Sequence, residues 1–246
     1  MNAIRPGVRE TEISIVIKAV FIDIDNTLLD FDAFVKSAMR DGFQRFGLGE
    51  YREDMFPVFL RINTEVWREI EQGRLSFEEM QQIRWNRVFD ALGISFDGVR
   101  FEHYFREYLF DCAIPVAGAM ELLDHLKGRY ILCVASNGPY EQQINRLRRG
   151  GMLDCFSHVF VSEQVGASKP SPKFFTHCLN VLNAQGDMQI CPDEILMIGD
   201  SLSSDMAGAA GMGMKTCYFD KNRSGKNGGM SLDYVVHTLD EIRSFL

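Results

Sequence analysis

The chain has 246 residues, of which 46% are hydrophobic, so it is long enough and apolar enough for one large globular domain or for a core with an insert. Its formal net charge of -8 argues against the backbone of a nucleic acid as a partner. Any phosphorylated ligand must therefore be bound by a metal ion and a few local donors.

Six cysteines are scattered along the chain without a C-x-x-C pair or the spacing of zinc ligands, which predicts reduced thiols and a cytoplasmic protein. The first twelve residues carry charges of both signs. The apolar run Ile13–Ile17 is too short for a signal peptide or a membrane span, so we expect no contact with a membrane. This run precedes the first predicted strand, and three interpretations stay open: it lengthens that strand, it pairs at a sheet edge, or it belongs to a start codon assigned too early.

The first predicted element is a buried strand that starts at Lys18 and is rich in β-branched and aromatic residues. It ends in Asp23 and Asp25, and the following Asn26 is where we expect the chain to leave the strand. Ligands of open α/β sheets bind beyond the carboxyl ends of the strands, which places these carboxylates for chemistry. An isolated Asp-x-Asp more often starts a turn, so the decision between the two interpretations depends on later segments.

Residues 31–111 show a helical hydrophobic period with no strand-like segment. A capping-box pattern at Ser76 and Glu79 starts one of the predicted helices. The pattern predicts four helices, near 35–46, 56–70, 76–92 and 101–110. An all-helical block after the first strand predicts an inserted cap at 31–111, and a core formed by 1–30 and 112–246.

Helices and strands alternate from Pro115 onward, which predicts parallel βαβ units. Ser171 and Pro172 have the residue types of an N-cap and a first helical position. The predicted strands are 130–135, 158–161, 195–198, 216–219 and 234–236, and the predicted helices include 117–127, 140–149 and 204–210. The expected fold is α/β, a Rossmann-like doubly wound parallel sheet interrupted once by the helical cap.

Three of the later segments end in polar groups. ILCVASNG ends a strand with Ser136 and Asn137, SKP places Lys169 in a proline-bounded loop, and ILMIGDSLSSD supplies Asp200 and Asp205. The ordered set DxDxT, S-N, K-P and GDxxxxD resembles the haloacid dehalogenase-like (HAD) superfamily of phosphohydrolases. The helical insert after the first of these motifs is similar to the type 1 cap of that superfamily. Each motif alone is weak, but together they span most of the chain.

The resemblance implies a phosphatase that works through an aspartyl-phosphate. Asp23 would be the nucleophile, Asp25 would protonate the leaving oxygen and later accept a proton from water, and Lys169 would neutralise charge on the transferring group. Asp23 and Asp25 need opposite protonation states, and their mutual repulsion helps to raise one pKa.

The resemblance also implies a Mg²⁺ ion held by Asp23, Asp200 and the backbone carbonyl of Asp25. Asp205 would bind the ion through water or orient Lys169, and an ordinary first-turn acid of a short helix is an equally open interpretation.

For the phosphoryl oxygens, the resemblance implies three donors. They are the Ser136 hydroxyl, with Asn137 and the backbone N–H of Asn26 nearby.

Asp25 argues against a dehalogenase, because those members of the superfamily lack the second acid. A phosphosugar mutase shares the DxD pair and is less firmly excluded, and a binding protein that has lost the reaction is a remote alternative. The segments DNTLLDF, WREIEQGRLSFEEMQQIRW and SEQVGASKPSPKFF resemble the bacterial pyrimidine 5'-nucleotidase branch, which removes phosphate from nucleoside monophosphates. Departures from that branch are Ser136, where Thr is usual, and the Gly-Ala-Ala-Gly run.

Three cap residues are candidates for contact with the nucleoside: Asn63, Trp67 and Arg84. Trp67 shares its helical spacing with apolar residues, so packing in the cap core is the competing interpretation. Asn63 is a polar residue on an apolar face and needs a partner, either in the substrate or within the cap. The sequence does not predict the oligomeric state.

Overall fold

The computed structural model describes residues 16–185 and 189–246, so most of the apolar run Ile13–Ile17 lies outside the described residues. A six-stranded parallel sheet forms the centre of the fold, with the strand order β3-β2-β1-β4-β5-β6. The strands are β1 Ala19–Ile22, β2 Ile131–Ser136, β3 His158–Val161, β4 Ile195–Gly199, β5 Lys215–Phe219 and β6 Tyr234–Val236. The predicted α/β fold class is confirmed.

Side chains of β1 alternate between two hydrophobic clusters, one on each face of the sheet. Val20 and Ile22 pack with helices on one face, and Ala19 and Phe21 pack with helices on the other. Because both faces are covered, β1 is apolar at every position, as is typical of a buried parallel strand. The helices of the core are α5 Ala119–Leu126, α6 Tyr140–Arg149, α7 Ser162–Val165, α8 Pro172–Gln185, α9 Ala207–Gly211 and α10 Leu239–Ile242.

Four further helices lie between β1 and α5 and form the cap. They are α1 Phe31–Phe46, α2 Met55–Glu71, α3 Phe77–Leu92 and α4 Gly98–Asp111. They share a separate aromatic core, in which the rings of Trp85 and Phe101 lie 4.3 Å apart. The predicted capping box is present, since the Ser76 hydroxyl accepts from Glu79 N at 3.1 Å and the Glu79 carboxylate accepts from Ser76 N at 2.8 Å.

The chain crosses between the sheet and the cap twice, and the two crossings are joined by backbone hydrogen bonds. Asp30 N donates to Ile114 O at 2.7 Å, and Val116 N donates to Leu28 O at 2.9 Å. Leu29 and Pro115 therefore form an isolated antiparallel bridge. The cap is attached by a short two-stranded ribbon.

All six cysteines are free thiols. Cys133 and Cys217 lie on β2 and β5 and are fully buried, as predicted. Burial raises the pKa of both thiols. Within the described ranges, no helix combines the length and the apolar character that crossing a bilayer requires.

Close contact between α3 and α4 depends on Gly98. A Cβ at this position would lie 2.2 Å from the backbone nitrogen of Asn86, whereas one at Gly211 in α9 would meet nothing within 4 Å. We expect Gly98→Ala to lower the free energy of unfolding by about 1–3 kcal/mol, because the backbone of α3 would have to move. Gly211→Ala is the matched control, with a change below about 1 kcal/mol. Urea unfolding followed by circular dichroism measures both, and equal stability of the two variants would refute the close-packing account.

Candidate active site

Three polar groups meet at the carboxyl edge of the sheet because their strands are neighbours. β1 lies between β2 and β4, and Ile22 is in register with Val134 and Ile198. Asp23 follows β1, Ser136 ends β2 and Asp200 follows β4. These groups line one cavity of about 280 Å³, bounded by the sheet edge and by the cap helices.

Lys169 is buried at the centre of this site. Its Nζ donates to Asp23 Oδ1 at 2.7 Å, to Asp205 Oδ1 at 2.6 Å and to Ala135 O at 2.6 Å. Burial alone would lower the pKa of Lys169, but the carboxylates of Asp205 and Asp23 outweigh that effect and raise it. The ammonium group is therefore charged and fixed, with one of its hydrogen bonds to the predicted nucleophile.

Carboxylate oxygens of Asp23, Asp200 and Asp205 lie within 4.8 Å of one another. Burial raises the pKa of Asp23 to about 7, with smaller contributions from Asp205 and Asp25 and against the effect of Lys169. Burial and the charges of Asp23 and Asp205 likewise raise the pKa of Asp200. Among the described residues, no donor is hydrogen-bonded to the Asp200 carboxylate. A cluster of hard oxygen donors with one lysine to neutralise it fits a divalent cation such as Mg²⁺.

Asp205 is buried, and its geometry is that of a residue that orients Lys169, one of the two active roles considered from the sequence. Its second oxygen, Oδ2, accepts from Ser201 N at 3.1 Å. The predicted helix 204–210 is present, and it begins with a single π-helical turn, Leu202–Met206, before α9. Met206 N and Asp205 N both donate to Ser201 O, which widens the turn. Gly199 makes room for this carboxylate, since a Cβ there would lie 2.2 Å from Asp205 Oδ2.

The side chain of Asp25 turns away from this cluster and toward α6. Arg146 Nη1 lies 2.8 Å from Asp25 Oδ1, and Gln143 Nε2 donates to Asp25 Oδ2 at 3.1 Å. The cation contact that we expect from Asp25 is through its backbone carbonyl, and this contact stays a prediction.

Ser136 lines the cavity, and its hydroxyl accepts from Gln143 Nε2 at 3.0 Å. The hydroxyl itself donates to Asn137 O over a long 3.5 Å, and its contact with a phosphoryl oxygen stays a prediction. Asn137 holds the loop of Lys169, since its Nδ2 donates to Lys169 O at 3.0 Å and its Oδ1 accepts from Lys169 N at 2.8 Å. Phosphate contact by Asn137 stays a prediction.

The backbone of Asn26 differs from our expectation. Its N–H, predicted to face the phosphate, donates to Leu29 O at 2.7 Å, because the chain turns tightly after β1 and Asn26 has a φ of 63°. Its side chain is paired with Asp32, and its Oδ1 accepts from Lys221 Nζ at 2.8 Å. In this structure Asn26 therefore stabilises the turn instead of offering a free donor.

On the cap side, Asn63 and Arg84 are buried in one network. Arg84 forms two bonds with Glu102, Nε to Oε2 at 3.0 Å and Nη2 to Oε1 at 2.6 Å, and Arg84 Nη1 donates to Asn63 Oδ1 at 3.0 Å. Asn63 thus has the partner within the cap that the sequence left open as one alternative. The three residues link α2, α3 and α4, and contact of Asn63 or Arg84 with substrate stays a prediction.

Trp67 lies at the cavity wall and outside the aromatic core of the cap, half-buried, with its ring 6.1 Å from that of Phe77. Packing in the cap core, the competing interpretation from the sequence, does not describe it. Arg68 and Glu71, from the same helix, line the same cavity. Burial and the charge of Asp205 raise the pKa of Glu71 to about 7, so the end of α2 is close to the carboxylate cluster of the core.

The sequence of the chain matches that of a known protein family. The model of the haloacid dehalogenase-like hydrolase family matches residues 17–213, which is most of the chain. The chain belongs to this family. The match includes every predicted catalytic and phosphate-binding residue.

The chain is similar over most of its length to three known proteins. The HAD-hydrolase YfnB of Bacillus subtilis is 28% identical over 93% of this chain and 95% of its own length. Its magnesium-bound crystal structure superposes with a TM-score of 0.84 at 27% identity, covering 94% of this chain and 99% of that one. The pyrimidine 5'-nucleotidase PynA of Streptococcus pneumoniae is 29% identical over 92% and 93% of the two chains. A glyceraldehyde 3-phosphate phosphatase of Pyrococcus furiosus is 28% identical over 94% and 93%.

Among the residues that sequence reasoning missed are Arg68, Glu71 and Gln143, which line the cavity, and Arg146, which lies 2.8 Å from Asp25 Oδ1. A signal was present for the last two, since Gln143 and Arg146 share a helix face with the buried Leu147. Polar residues on a buried face need buried partners, and the partner here is Asp25. Glu71 follows Trp67 by four residues, where helical spacing places it along the same wall, whereas the position of Arg68, next to Trp67 in the chain, had no such signal.

We expect Arg84→Gln to destabilise the cap, because it would leave the buried Glu102 carboxylate without its counter-ion. Loss of one partner of a buried pair costs about 3–5 kcal/mol. Arg61→Gln is the control, since Arg61 pairs with Glu65 on the exposed surface at 3.2 Å and should contribute little. Chemical denaturation of both variants checks this, and an equal loss in the two would contradict a structural role for the buried pair.

Proposed function

We propose that this protein is a phosphoric monoester hydrolase that acts through an aspartyl-phosphate on Asp23. The observation that carries the proposal is the position of Asp23 at the carboxyl end of the central strand, bonded at 2.7 Å to the buried Lys169 ammonium. Asp25 follows two residues later in the same cavity. A nucleophile, an acid and a fixed positive charge are the groups that phosphoryl transfer requires.

In the first step, a carboxylate oxygen of Asp23 forms a bond to phosphorus while the bond between phosphorus and the leaving oxygen breaks. The leaving oxygen takes a proton from the carboxyl group of Asp25 and departs as an alcohol. The Lys169 ammonium and the Ser136 hydroxyl donate hydrogen bonds where negative charge accumulates.

Water then attacks the phosphorus of the aspartyl-phosphate, and the bond to the Asp23 oxygen breaks. Asp25 accepts the proton that the water loses, so the products are inorganic phosphate and the original two side chains. Charge and protons balance over the two steps, because Asp25 returns to its protonated form.

The residues that would hold a divalent cation are Asp23 and Asp200, with the backbone carbonyl of Asp25 and with Asp205 beside them. The cation would offset the repulsion between the anionic nucleophile and the phosphate. The raised pKa values of Asp23 and Asp200 support this assignment, because added positive charge is what ionises both carboxyls.

For the substrate we propose a nucleoside 5'-monophosphate, with a pyrimidine base favoured. The similarity to PynA supports this choice. So does the lining of the cavity on the cap side, which includes the rings of Trp67 and Phe77, 6.1 Å apart, and the polar side chains of Asn63 and Arg68. Free thiols throughout support a cytoplasmic location. A phosphosugar or another small phosphorylated metabolite is the alternative.

The deciding experiment measures phosphate release from nucleoside monophosphates, sugar phosphates and p-nitrophenyl phosphate, with Mg²⁺ and with EDTA. We expect release that needs Mg²⁺, that favours pyrimidine nucleotides, and that falls to background in Asp23→Asn. The variant keeps the size of the side chain and loses the nucleophilic charge.

A preference for sugar phosphates would keep the mechanism and overturn the nucleotide assignment. Absence of turnover with every compound would instead favour a binding protein.

Trp67 allows a separate test of the nucleoside contact. We expect Trp67→Ala to raise KM for a preferred nucleotide by about 10-fold, within the 1–3 kcal/mol that stacking of a base on an aromatic ring contributes. Turnover of acetyl phosphate, which has no ring, should change little. Trp67→Phe keeps a flat ring and should retain most of the affinity, and an equal loss for both substrates would count against a base contact.

A further inference from the structure

Helix α6 holds the segment by which the chain leaves the cap. Asn145 Nδ2 donates to Phe110 O at 2.7 Å, Arg149 Nη2 lies 2.6 Å from Asp111 Oδ1, and Arg146 Nε donates to Cys112 O at 3.2 Å. The three contacts are made with three consecutive residues, 110 to 112. The segment is therefore held against α6 by the side chains of this helix.

Arg146 differs from the other two because it also contacts Asp25, which lines the catalytic cavity. Arg146 is 1% exposed, and its Nη1 forms an ion pair with Asp25 Oδ1 at 2.8 Å and donates to Gln143 Oε1 at 2.9 Å. One rigid group thus donates to a backbone carbonyl at the junction with the cap and pairs with a carboxylate in the active site. Arg149 and Asn145 are more exposed and make no contact with Asp25 in the structure.

Gln143 completes the arrangement. Its Nε2 donates both to Asp25 Oδ2 and to Ser136 Oγ, at 3.1 and 3.0 Å, while its Oε1 accepts from Arg146. Gln143 therefore holds one oxygen of Asp25 by a hydrogen bond, and the charge of Arg146 pairs with the other oxygen without the geometry of a hydrogen bond. Both contacts come from one face of α6 and restrain the position of the carboxyl group.

We propose that Arg146 is a positioning residue that makes the orientation of Asp25 depend on the position of the cap-exit segment 110–112. The proposal rests on the proposed phosphatase function. A guanidinium is planar, so its Nε and Nη1 directions cannot change independently. Displacement of the Cys112 carbonyl would rotate the guanidinium of Arg146 and move the Nη1 group that pairs with Asp25. The carboxyl group of Asp25 is therefore correctly oriented in only one position of the segment.

The proposal predicts an effect that depends on the leaving group. A nucleoside leaves as an alkoxide and needs a proton from Asp25, whereas p-nitrophenolate leaves without one. Misplacing the acid should therefore slow only the first class. We expect Arg146→Gln to slow nucleotide cleavage by about 10- to 100-fold, part of the 10²–10⁴-fold that general acid–base catalysis contributes.

The experiment compares four proteins with the wild type: Arg146→Gln, Asp25→Asn, the double variant, and Arg149→Gln as the matched control from the same helix. Release of nucleoside and of p-nitrophenolate is followed in the first turnover, with enzyme in excess and Mg²⁺ present. Arg149→Gln removes an exposed contact to the same segment without touching Asp25, and should resemble the wild type with both substrates.

The double variant separates positioning from general damage. If Arg146 acts through Asp25, the double variant cleaves the nucleotide no more slowly than Asp25→Asn, because the two residues work as a unit. Multiplication of the two effects, or an equal loss with both substrates, would overturn the proposal. If Arg146→Gln does not fold, Arg146→Lys replaces it, since the charge stays and the two-ended contact is lost, and the same selective loss is expected.

A wild-type protein that releases neither product would refute the proposed function itself. An active wild type with an unselective Arg146→Gln variant would refute only the role of Arg146. The two failures are thus distinguishable in one set of measurements.

Discussion

The active site depends on one buried ammonium group. Carboxylates at the ends of neighbouring strands would repel one another in a water-poor site, and Lys169 compensates part of that charge by bonding Asp23 and Asp205 at once. Two local features maintain this contact. Asn137 forms hydrogen bonds with both the N–H and the C=O of Lys169, and Gly199 leaves space for the Asp205 carboxylate. The charge that Lys169 leaves uncompensated is what makes the site suited to a cation.

Much of the core could be predicted from the sequence because its signals are local. A short apolar run that ends in Asp or Ser marks a strand and its carboxyl end, and parallel neighbours bring those ends together. The family match confirms the relationship that the ordered motifs of Asp23, Ser136, Lys169 and Asp200 indicated. The contact of Asp205 with Lys169 was not predictable from spacing, because the two residues are 36 positions apart and only the fold brings them together.

The cap was less predictable, since one polar residue on a helix face has two possible partners. Asn63 and Arg84 found theirs in the cap, through Glu102 on a different helix, and no spacing rule connects residues 63, 84 and 102. Trp67 shows the reverse case. Its spacing matches the apolar stripe of α2, but this stripe extends beyond the residues that contact the cap core. Trp67 therefore faces the cavity.

The ribbon formed by the two crossings between sheet and cap limits how these parts can move. A single-chain link would permit rotation about any axis, but the bonds from Asp30 to Ile114 and from Val116 to Leu28 tie the two chains together. The two crossings therefore cannot move independently, and any displacement of α2 relative to the carboxylates has to carry both chains of the ribbon with it.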